Sequence, residues 1–150
     1  MKILIPVEDK QFAHVIAEFV CNHTWPKEVE FRILNVYESV FLQEVVSPLA
    51  MQQLEEASQL SQSLGRMLMM DVGTKLRLKF PNSKIEEILK EGDPKQIILN
   101  TIKLWQPDFV VMGAHGKGSI ERFFLGSVSL AVLSHAPCSV VTIKIPTPSE

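Results

Sequence analysis

The stretch MGAHGKGSIERFFLGSV, residues 112–128, decides how this chain is interpreted. It continues from Asp108 to Met112, a largely apolar run of the kind that a strand buried on both faces requires. After it, Ser127 to Ala136 has helical spacing. Open α/β sheets bind ligands between the carboxyl end of a buried parallel strand and the amino end of a helix. The stretch therefore predicts an α/β fold with a ligand site at this loop.

The glycines of this loop indicate what the ligand is. Gly113, Gly116 and Gly118 follow the strand, and Gly126 stands beside Ser127 at the start of the helix. Without side chains, backbone N–H groups can approach an anion closely, and a helix amino terminus can face it. The loop therefore predicts a site for a nucleotide phosphate.

The opening of the chain has the pattern of a strand, a helix and a second strand. Lys2 to Val7 is apolar, as in a central parallel strand. Gln11 to His23 has the apolar spacing of an amphipathic helix, which Pro26 closes, and Val29 to Tyr37 returns to strand character. This order predicts a βαβ unit with a parallel sheet.

In the middle of the chain, Ser47-Pro48 predicts the start of a long helix, but the residue at which this helix ends is ambiguous. Gly73 could stop it, and the residues from Leu76 to Phe80 alternate as in a strand. Lys84 to Glu91 is interpreted as a charged strand at a sheet edge, with a short helix as the alternative.

The last third adds a helix, the loop and a final strand. Asp93-Pro94 starts a helix that Pro107 ends, and Cys138 to Ile145 is a β-branched run. Residues 146–150 are expected to fray. Five strands thus alternate with four helices, and residues 1–150 are expected to form one domain.

Composition argues against two classes of partner. An apolar share of 46%, a charged share of 21% and a net charge of -2 do not favour nucleic acid or membrane as a partner. With no leader or span recognisable, we expect a cytoplasmic protein. Cys21 and Cys138 lack ligand-like spacing and are expected to be reduced and structural.

Two common phosphate motifs do not fit the loop. Gly113 and Gly118 have the spacing of a P-loop, but Ser119 stands where that motif needs lysine. The order Gly113, Gly116, Gly118 reverses the dinucleotide fingerprint, and it follows the fourth strand rather than the first.

The pattern that does fit is Gly113, two residues, Gly116, nine residues and Gly126-Ser127. It is accompanied by the opening Lys2 to Val7, the turn Glu91 to Pro94 and the closing Ala136 to Val141. With these features the chain resembles the universal stress protein family, in its ATP-binding branch. No enzyme signature is recognised beside it.

This resemblance implies a fold and a ligand. The fold is a five-stranded parallel sheet of order 3-2-1-4-5, flavodoxin-like and, as in adenine nucleotide α-hydrolases, a three-layer sandwich. ATP would lie at the switch point between the first and fourth strands. Mg²⁺ would come with it, bound through the phosphates, since no metal-ligand cluster is recognised in the sequence.

The resemblance also implies the binding residues, each in its own role. Pro6 and Glu8 would lie against the adenosine, Val36 would offer backbone groups to the adenine, and Met112 and Gly113 would border the ribose. The phosphates would be held by Gly116, Gly126, Ser127 and Val128. Val7 and Gly118 are counted among the binding residues as well. Asp9 could replace Glu8, because Glu8-Asp9-Lys10 departs from the family pattern.

Side chains of the loop give less definite indications. His115 is a candidate for contact with phosphate, although an exposed loop histidine is more often simply solvated. Lys117 and Arg122 could steer phosphate or face water.

Three functions remain open at this stage. The first is a regulatory module of the stress response, a dimer whose ATP occupancy affects an unknown protein partner. The alternatives are an ATP-using enzyme, through slow hydrolysis or nucleotidyl transfer, and a structural dimer with a vestigial pocket. The resemblance implies a homodimer paired through Cys138 to Ile145, an edge strand that the sequence leaves unprotected.

Overall fold

The computed structural model describes residues 1–38, 47–114 and 125–145. Strands and helices alternate through them as predicted. The elements are β1 (Lys2–Pro6), α1 (Lys10–Asn22), β2 (Glu30–Tyr37), α2 (Pro48–Lys79), β3 (Lys84–Glu91), α3 (Pro94–Trp105), β4 (Phe109–Gly113), α4 (Ser127–His135) and β5 (Ser139–Ile143). The predicted tail, residues 146–150, lies outside the described residues.

The strands form one parallel sheet in the order β3-β2-β1-β4-β5, which confirms the expected order 3-2-1-4-5. Helices α1 and α2 cover one face of the sheet, and α3 and α4 cover the other. The result is the expected flavodoxin-like three-layer sandwich. The interpretation of Lys84 to Glu91 as an edge strand is confirmed as well, and its helical alternative is wrong.

Strand β1 lies at the centre of the sheet and supplies side chains to both cores. Ile3 and Ile5 face the layer formed by α1 and α2, whereas Leu4 between them faces α3 and α4. All three are completely buried. Because successive side chains of a strand point to opposite faces, an apolar run is what a strand covered on both sides requires.

Helix α2 is longer than the sequence suggested. It continues through Gly73 to Lys79, so neither a stop at Gly73 nor a strand from Leu76 to Phe80 forms. In a strand, Leu76 and Leu78 would share one face, but Leu76 is fully buried and Leu78 is 81% exposed. Residues two positions apart point to different sides of a helix. The alternating pattern therefore arises from apolar residues on different sides of α2, not from a strand.

Two glycines allow α2 to approach the sheet closely. A Cβ atom on Gly65 would lie 2.8 Å from Cγ of Asn35 in β2, and one on Gly73 would lie 3.2 Å from Cδ of Glu87 in β3. Gly73 is therefore a packing residue inside the helix rather than a helix stop.

The three helices α1, α2 and α3 begin with side-chain caps. Asp9 accepts a hydrogen bond from the Phe12 amide at 3.0 Å, Asp93 accepts one from Gln96 at 2.9 Å, and Ser47 accepts one from Ala50 at 3.3 Å. Each cap satisfies an amide that the first helical turn leaves unbonded. Both helix starts that the sequence predicted from a proline, at residues 48 and 94, are thus confirmed.

Both tryptophans lie at the amino-terminal edge of the sheet. The ring of Trp105 has the Arg32 guanidinium 4.3 Å and the Lys2 ammonium 5.6 Å from its centroid. Trp25 donates from Nε1 to the Val20 carbonyl and packs edge-on against Phe109, the first residue of β4. These contacts close the end of the fold opposite the carboxyl ends of the strands.

The two cysteines are free and partly buried, as expected of structural thiols. Burial raises the pKa of both Cys21 and Cys138 above the ordinary thiol value. Both side chains therefore remain protonated at neutral pH, and a protonated thiol is a poor nucleophile.

The glycine contacts of α2 give a test with a matched pair of variants. We expect Gly65→Ala to lower the free energy of unfolding by about 1–3 kcal/mol, because the new methyl group meets the buried Asn35 side chain, which cannot move away. Gly73→Ala meets only the ends of the flexible Glu87 and Arg77 side chains, so the gain in helix propensity of up to about 1 kcal/mol should offset most of its cost. Urea denaturation measures both values, and equal stability of the two variants would contradict this packing.

Candidate functional site

The sheet opens at the carboxyl end of its central strand. Strand β1 pairs with β4 only at Ile3–Phe109 and Leu4–Val110, whereas β4 stays paired with β5 as far as Gly113–Ile143. On the other side, the β1–β2 ladder ends with the Val7 amide donating to the Leu34 carbonyl at 2.9 Å. Strands β2 and β4 therefore both extend beyond β1, and a crevice is left between them. This is the switch point of the strand order.

A cleft of about 580 Å³ occupies this crevice, a volume in the range typical of small-molecule sites. Nine of the predicted site residues line it together, namely Pro6, Val7, Glu8, Val36, Met112, Gly113, Gly126, Ser127 and Val128. The other three, His115, Gly116 and Gly118, lie outside the described residues, as do Lys117 and Arg122. The sequence thus identified both strand ends and the helix start that border the cleft.

Helix α4 begins at this cleft without a side-chain cap. Its N-cap is Gly126, and within the described part of the chain the amides of Ser127, Val128 and Ser129 have no hydrogen-bond partner. Unbonded amides at a helix start carry partial positive charge and bind anions. The helix start is therefore a group of donors at the edge of the cleft.

One predicted donor has to be corrected. The Gly126 amide donates to the Ala114 carbonyl at 2.7 Å, so in this arrangement it is not available to an anion. The buried Ser129 hydroxyl reinforces the same connection, lying 2.8 Å from the Ala114 carbonyl oxygen and 2.9 Å from that of Gly126. These bonds fix the start of α4 on the end of β4, and they transfer the donor role to the amides that follow Gly126.

Gly113 is required for packing independently of any ligand. A Cβ atom at this position would lie 2.6 Å from Cδ1 and 2.8 Å from Cγ of the Phe12 ring. Phe12 is buried and belongs to α1, directly after the cap at Asp9. The missing side chain at residue 113 therefore makes room for an aromatic ring at the cleft, which sequence reasoning had interpreted as room for a nucleotide.

The structure distinguishes the two carboxylates that follow β1. Asp9 caps α1 and does not line the cleft, whereas Glu8 does line it. The alternative in which Asp9 faces the cleft is therefore not supported. Glu8 and Asp9 have different roles because side chains of consecutive residues at a strand end point in different directions.

The cleft also contains side chains that the sequence analysis missed. Ser61, Leu64, Gly65 and Leu68 of α2 form one wall. Asn35 lies at the base, where its amide nitrogen donates to the Val7 carbonyl at 2.8 Å. The buried Asn35 side chain thus fixes the end of β1 against β2, and Gly65 of α2 packs against that side chain. The only feature of the sequence that could have indicated close packing of α2 on the sheet is the pair of glycines at residues 65 and 73.

Charge in the described lining is unevenly distributed. The carboxylates Glu8, Glu38 and Asp93 lie near the ends of β1, β2 and β3, and Lys95 is the cation among the described lining residues. Nearby, desolvation together with the hydrogen bond to Glu91 raises the pKa of Tyr37 above its ordinary value. Carboxylates repel a phosphate, so the α4 side of the cleft is the favourable end for an anion.

Neither a metal-ligand cluster nor a membrane span is found among the described residues. Over 1–38, 47–114 and 125–145, no three histidine, cysteine, aspartate or glutamate side chains are grouped as metal ligands would be. None of the described helices combines the length and the apolar character that crossing a bilayer requires.

Comparison with known proteins agrees with the architecture. The universal stress protein A-like protein of Arabidopsis thaliana is 44% identical over 59 residues, which are 39% of this chain and 34% of that protein. The chain thus matches about a third of that relative's length.

Two solved structures share the fold over nearly their whole length. The universal stress protein UspA from Lactobacillus plantarum superposes with a TM-score of 0.76 at 22% identity, covering 96% of this chain and 97% of that one. A universal stress protein family protein from Arabidopsis thaliana, solved with AMP bound, has a TM-score of 0.62 at 22% identity, covering 100% and 97%.

The family model gives the most complete match. The model of the universal stress protein family matches residues 1–144, which include every described strand and helix. The chain therefore belongs to the universal stress protein family.

Proposed function

We propose that this protein binds an adenine nucleotide in the cleft between β1 and β4, and that the nucleotide is ATP with Mg²⁺ bound through its phosphates. The single observation that carries the proposal is the start of α4, where three amides without a partner among the described residues border a cleft of nucleotide size. The AMP bound to the Arabidopsis family member supports the choice of an adenine nucleotide.

The base would lie at the β2 side of the cleft. The β1–β2 pairing ends at Leu34, two residues before Val36. The peptide groups of Val36 that face the cleft are therefore not used in the β1–β2 ladder. Free peptide donors and acceptors suit the polar edge of adenine. Pro6 and Val7 would contact the adenosine, and Met112 and Gly113 would border the ribose.

The phosphates would lie at the α4 side. There the amides of Ser127 and Val128 and the Ser127 hydroxyl supply donors, and the helix dipole supplies positive potential. The carboxylates near β1, β2 and β3 favour this orientation over the reverse one. His115, Gly116 and Gly118 stay predicted phosphate contacts.

The role that we propose is regulatory. Nucleotide occupancy would alter how a cytoplasmic homodimer presents itself to a protein partner during stress. The cleft lining that the structure describes contains no histidine or cysteine, which favours binding over turnover. We also propose that residues 1–150 form a single domain of this kind.

The direct experiment is calorimetric titration of the purified protein with MgATP, AMP, adenosine and, as a control, MgGTP. Mass spectrometry of small molecules released by denaturation identifies any nucleotide retained from the cell. Binding of MgATP with rejection of MgGTP is expected, and failure to bind any adenine compound would refute the proposal. A turnover assay on the same sample tests the enzymatic alternative.

The amide donors can be tested separately from the hydroxyl. Ser127→Pro removes both, and it should fold because proline suits the first position of a helix and Gly126 is already extended at φ -64 and ψ 159. Ser127→Ala removes only the hydroxyl. Since a hydrogen bond to a charged group contributes about 1.5–3 kcal/mol, the proline variant should bind MgATP at least about tenfold more weakly than the alanine variant.

Adenosine is the control ligand for this pair, because it has no phosphate. Its affinity should be the same for both variants, as measured by calorimetry. Equal MgATP affinities, or an equal loss for adenosine, would contradict the assignment of phosphate to the start of α4.

The homodimer proposed through β5 has its own test. Ser139 donates its amide to Asp108, and the Ile143 carbonyl accepts from Ala114, so odd-numbered residues of β5 bond to β4. The backbone of Val140 and Thr142 therefore points to the open edge. We expect Thr142→Pro to abolish association through β5, so that its mass in sedimentation velocity is lower than that of the wild type, while leaving the β4–β5 ladder intact. Thr142→Ala is the control and should keep the wild-type mass, whereas equal masses of the two variants would exclude pairing through this edge.

A further inference from the structure

Helix α2 carries an apolar surface that stays exposed in the part of the chain that the structure describes. Its 32 residues make it about 48 Å long, yet its buried residues lie only between Gly65 and Leu76. Seven large apolar side chains on it are between 48% and 81% exposed. Five of them are named here the outer stripe, Leu49, Leu60, Leu64, Met67 and Leu78, whereas Met51 and Met70 lie on other sides of the helix.

The outer stripe follows a single line along the helix. At about 100° per residue, its five members fall within a sector of about 60°. The buried residues Gly65, Met69 and Leu76 are centred on the opposite side of the helix. An exposed apolar line of this length, directly opposite the core face, is typical of a helix that packs on a second partner.

The spacing of the outer stripe indicates what that partner is. Leu49 and Leu78 are equally distant from the midpoint between residues 63 and 64, and so are Leu60 and Met67. A two-fold axis at that midpoint would therefore place Leu60 against Met67 of a second copy, and Leu49 against Leu78. A two-fold interface requires a self-complementary surface of this kind, whereas binding of an unrelated partner does not require one.

The distribution of charge along α2 favours antiparallel pairing with a second copy as well. From Pro48 to residue 63 the helix has two glutamates and no lysine or arginine, whereas from residue 64 to Lys79 it has four cations and one aspartate. An antiparallel copy brings the acidic half of each helix to the basic half of the other, and a parallel copy would bring like charges together. Where Glu56 would face Asp71 of the copy, the Lys75 ammonium lies 3.7 Å from the Asp71 carboxylate and offsets part of the repulsion.

From this symmetry we infer that α2 pairs antiparallel with α2 of a second copy, through the outer stripe and about an axis between residues 63 and 64. Leu64 lines the nucleotide cleft as well as the stripe. The second copy therefore covers the outside of the α2 wall of the cleft. This surface is separate from the β5 edge, so the two contacts are independent of each other.

A position-specific cross-link tests the pairing. Ser63 is adjacent to the axis, so Ser63→Cys should form a disulfide with its own copy under mild oxidation, giving a covalent dimer in non-reducing electrophoresis. The wild-type chain, with Cys21 and Cys138, and Leu104→Cys, on an 84% exposed position of α3, are the controls and should not cross-link to the same extent. A covalent dimer no more abundant in Ser63→Cys than in the controls would overturn the inference.

The apolar contact is tested by charge. Leu60→Glu with Met67→Glu should raise the dissociation constant of the α2 contact at least tenfold in sedimentation equilibrium, and Leu104→Glu should leave it unchanged. Both measurements are made in the Thr142→Pro background as well as in the wild type, so that loss of a β5 dimer is distinguished from loss of α2 pairing. Since these positions are exposed, circular dichroism should show an unchanged fold. A lower melting temperature with unchanged mass would mean that the stripe is covered within one chain, and would overturn the inference.

Discussion

The early end of the central strand is the constraint on which the rest of the structure depends. Strand β1 is covered on both faces, so its side chains must be apolar and its peptide groups must be paired by β2 and β4. Where it stops, at Pro6, both neighbours continue, and the peptide groups that β1 would have used are left facing a cleft. Asn35 supports this end by bonding to the Val7 carbonyl, and α2 is held close to Asn35 by the glycine at residue 65.

Most of the fold could be predicted because apolar periodicity and helix caps act locally. The strands, the sheet edge at Lys84 to Glu91 and the helix starts at residues 48 and 94 all follow from such patterns. The strand order came from the family resemblance. The end of α2 could not be predicted, since Gly73 looks like a helix stop until Glu87 of a distant strand is known to lie against it. Local propensity there is overridden by a contact that the linear pattern does not contain.

The border of the cleft was predictable to the same extent. Strand ends and the start of α4 are specified by position along the chain, and they do meet at one cleft. The reasons for individual glycines were not predictable, because Gly113 accommodates the Phe12 ring and the Gly126 amide bonds to Ala114. The wall formed by α2 was missed altogether, because Ser61 and Leu68 are far in sequence from the end of β4 and the start of α4, with which they line the cleft. In the proposed site, an anion would thus be bound less by the glycines themselves than by the helix-start amides that follow Gly126.

The placement of the tryptophans has a practical consequence for spectroscopy. Trp25 and Trp105 are the only two in the sequence, and both are packed at the amino-terminal edge of the sheet, with two cations close to the Trp105 ring. Their intrinsic emission therefore reports on the folding of the amino-terminal edge of the sheet. A molecule bound in the cleft, at the carboxyl ends of the strands, would not contact either ring. A fluorescence change on adding a small molecule would signal a rearrangement transmitted through the strands rather than direct quenching by the molecule itself.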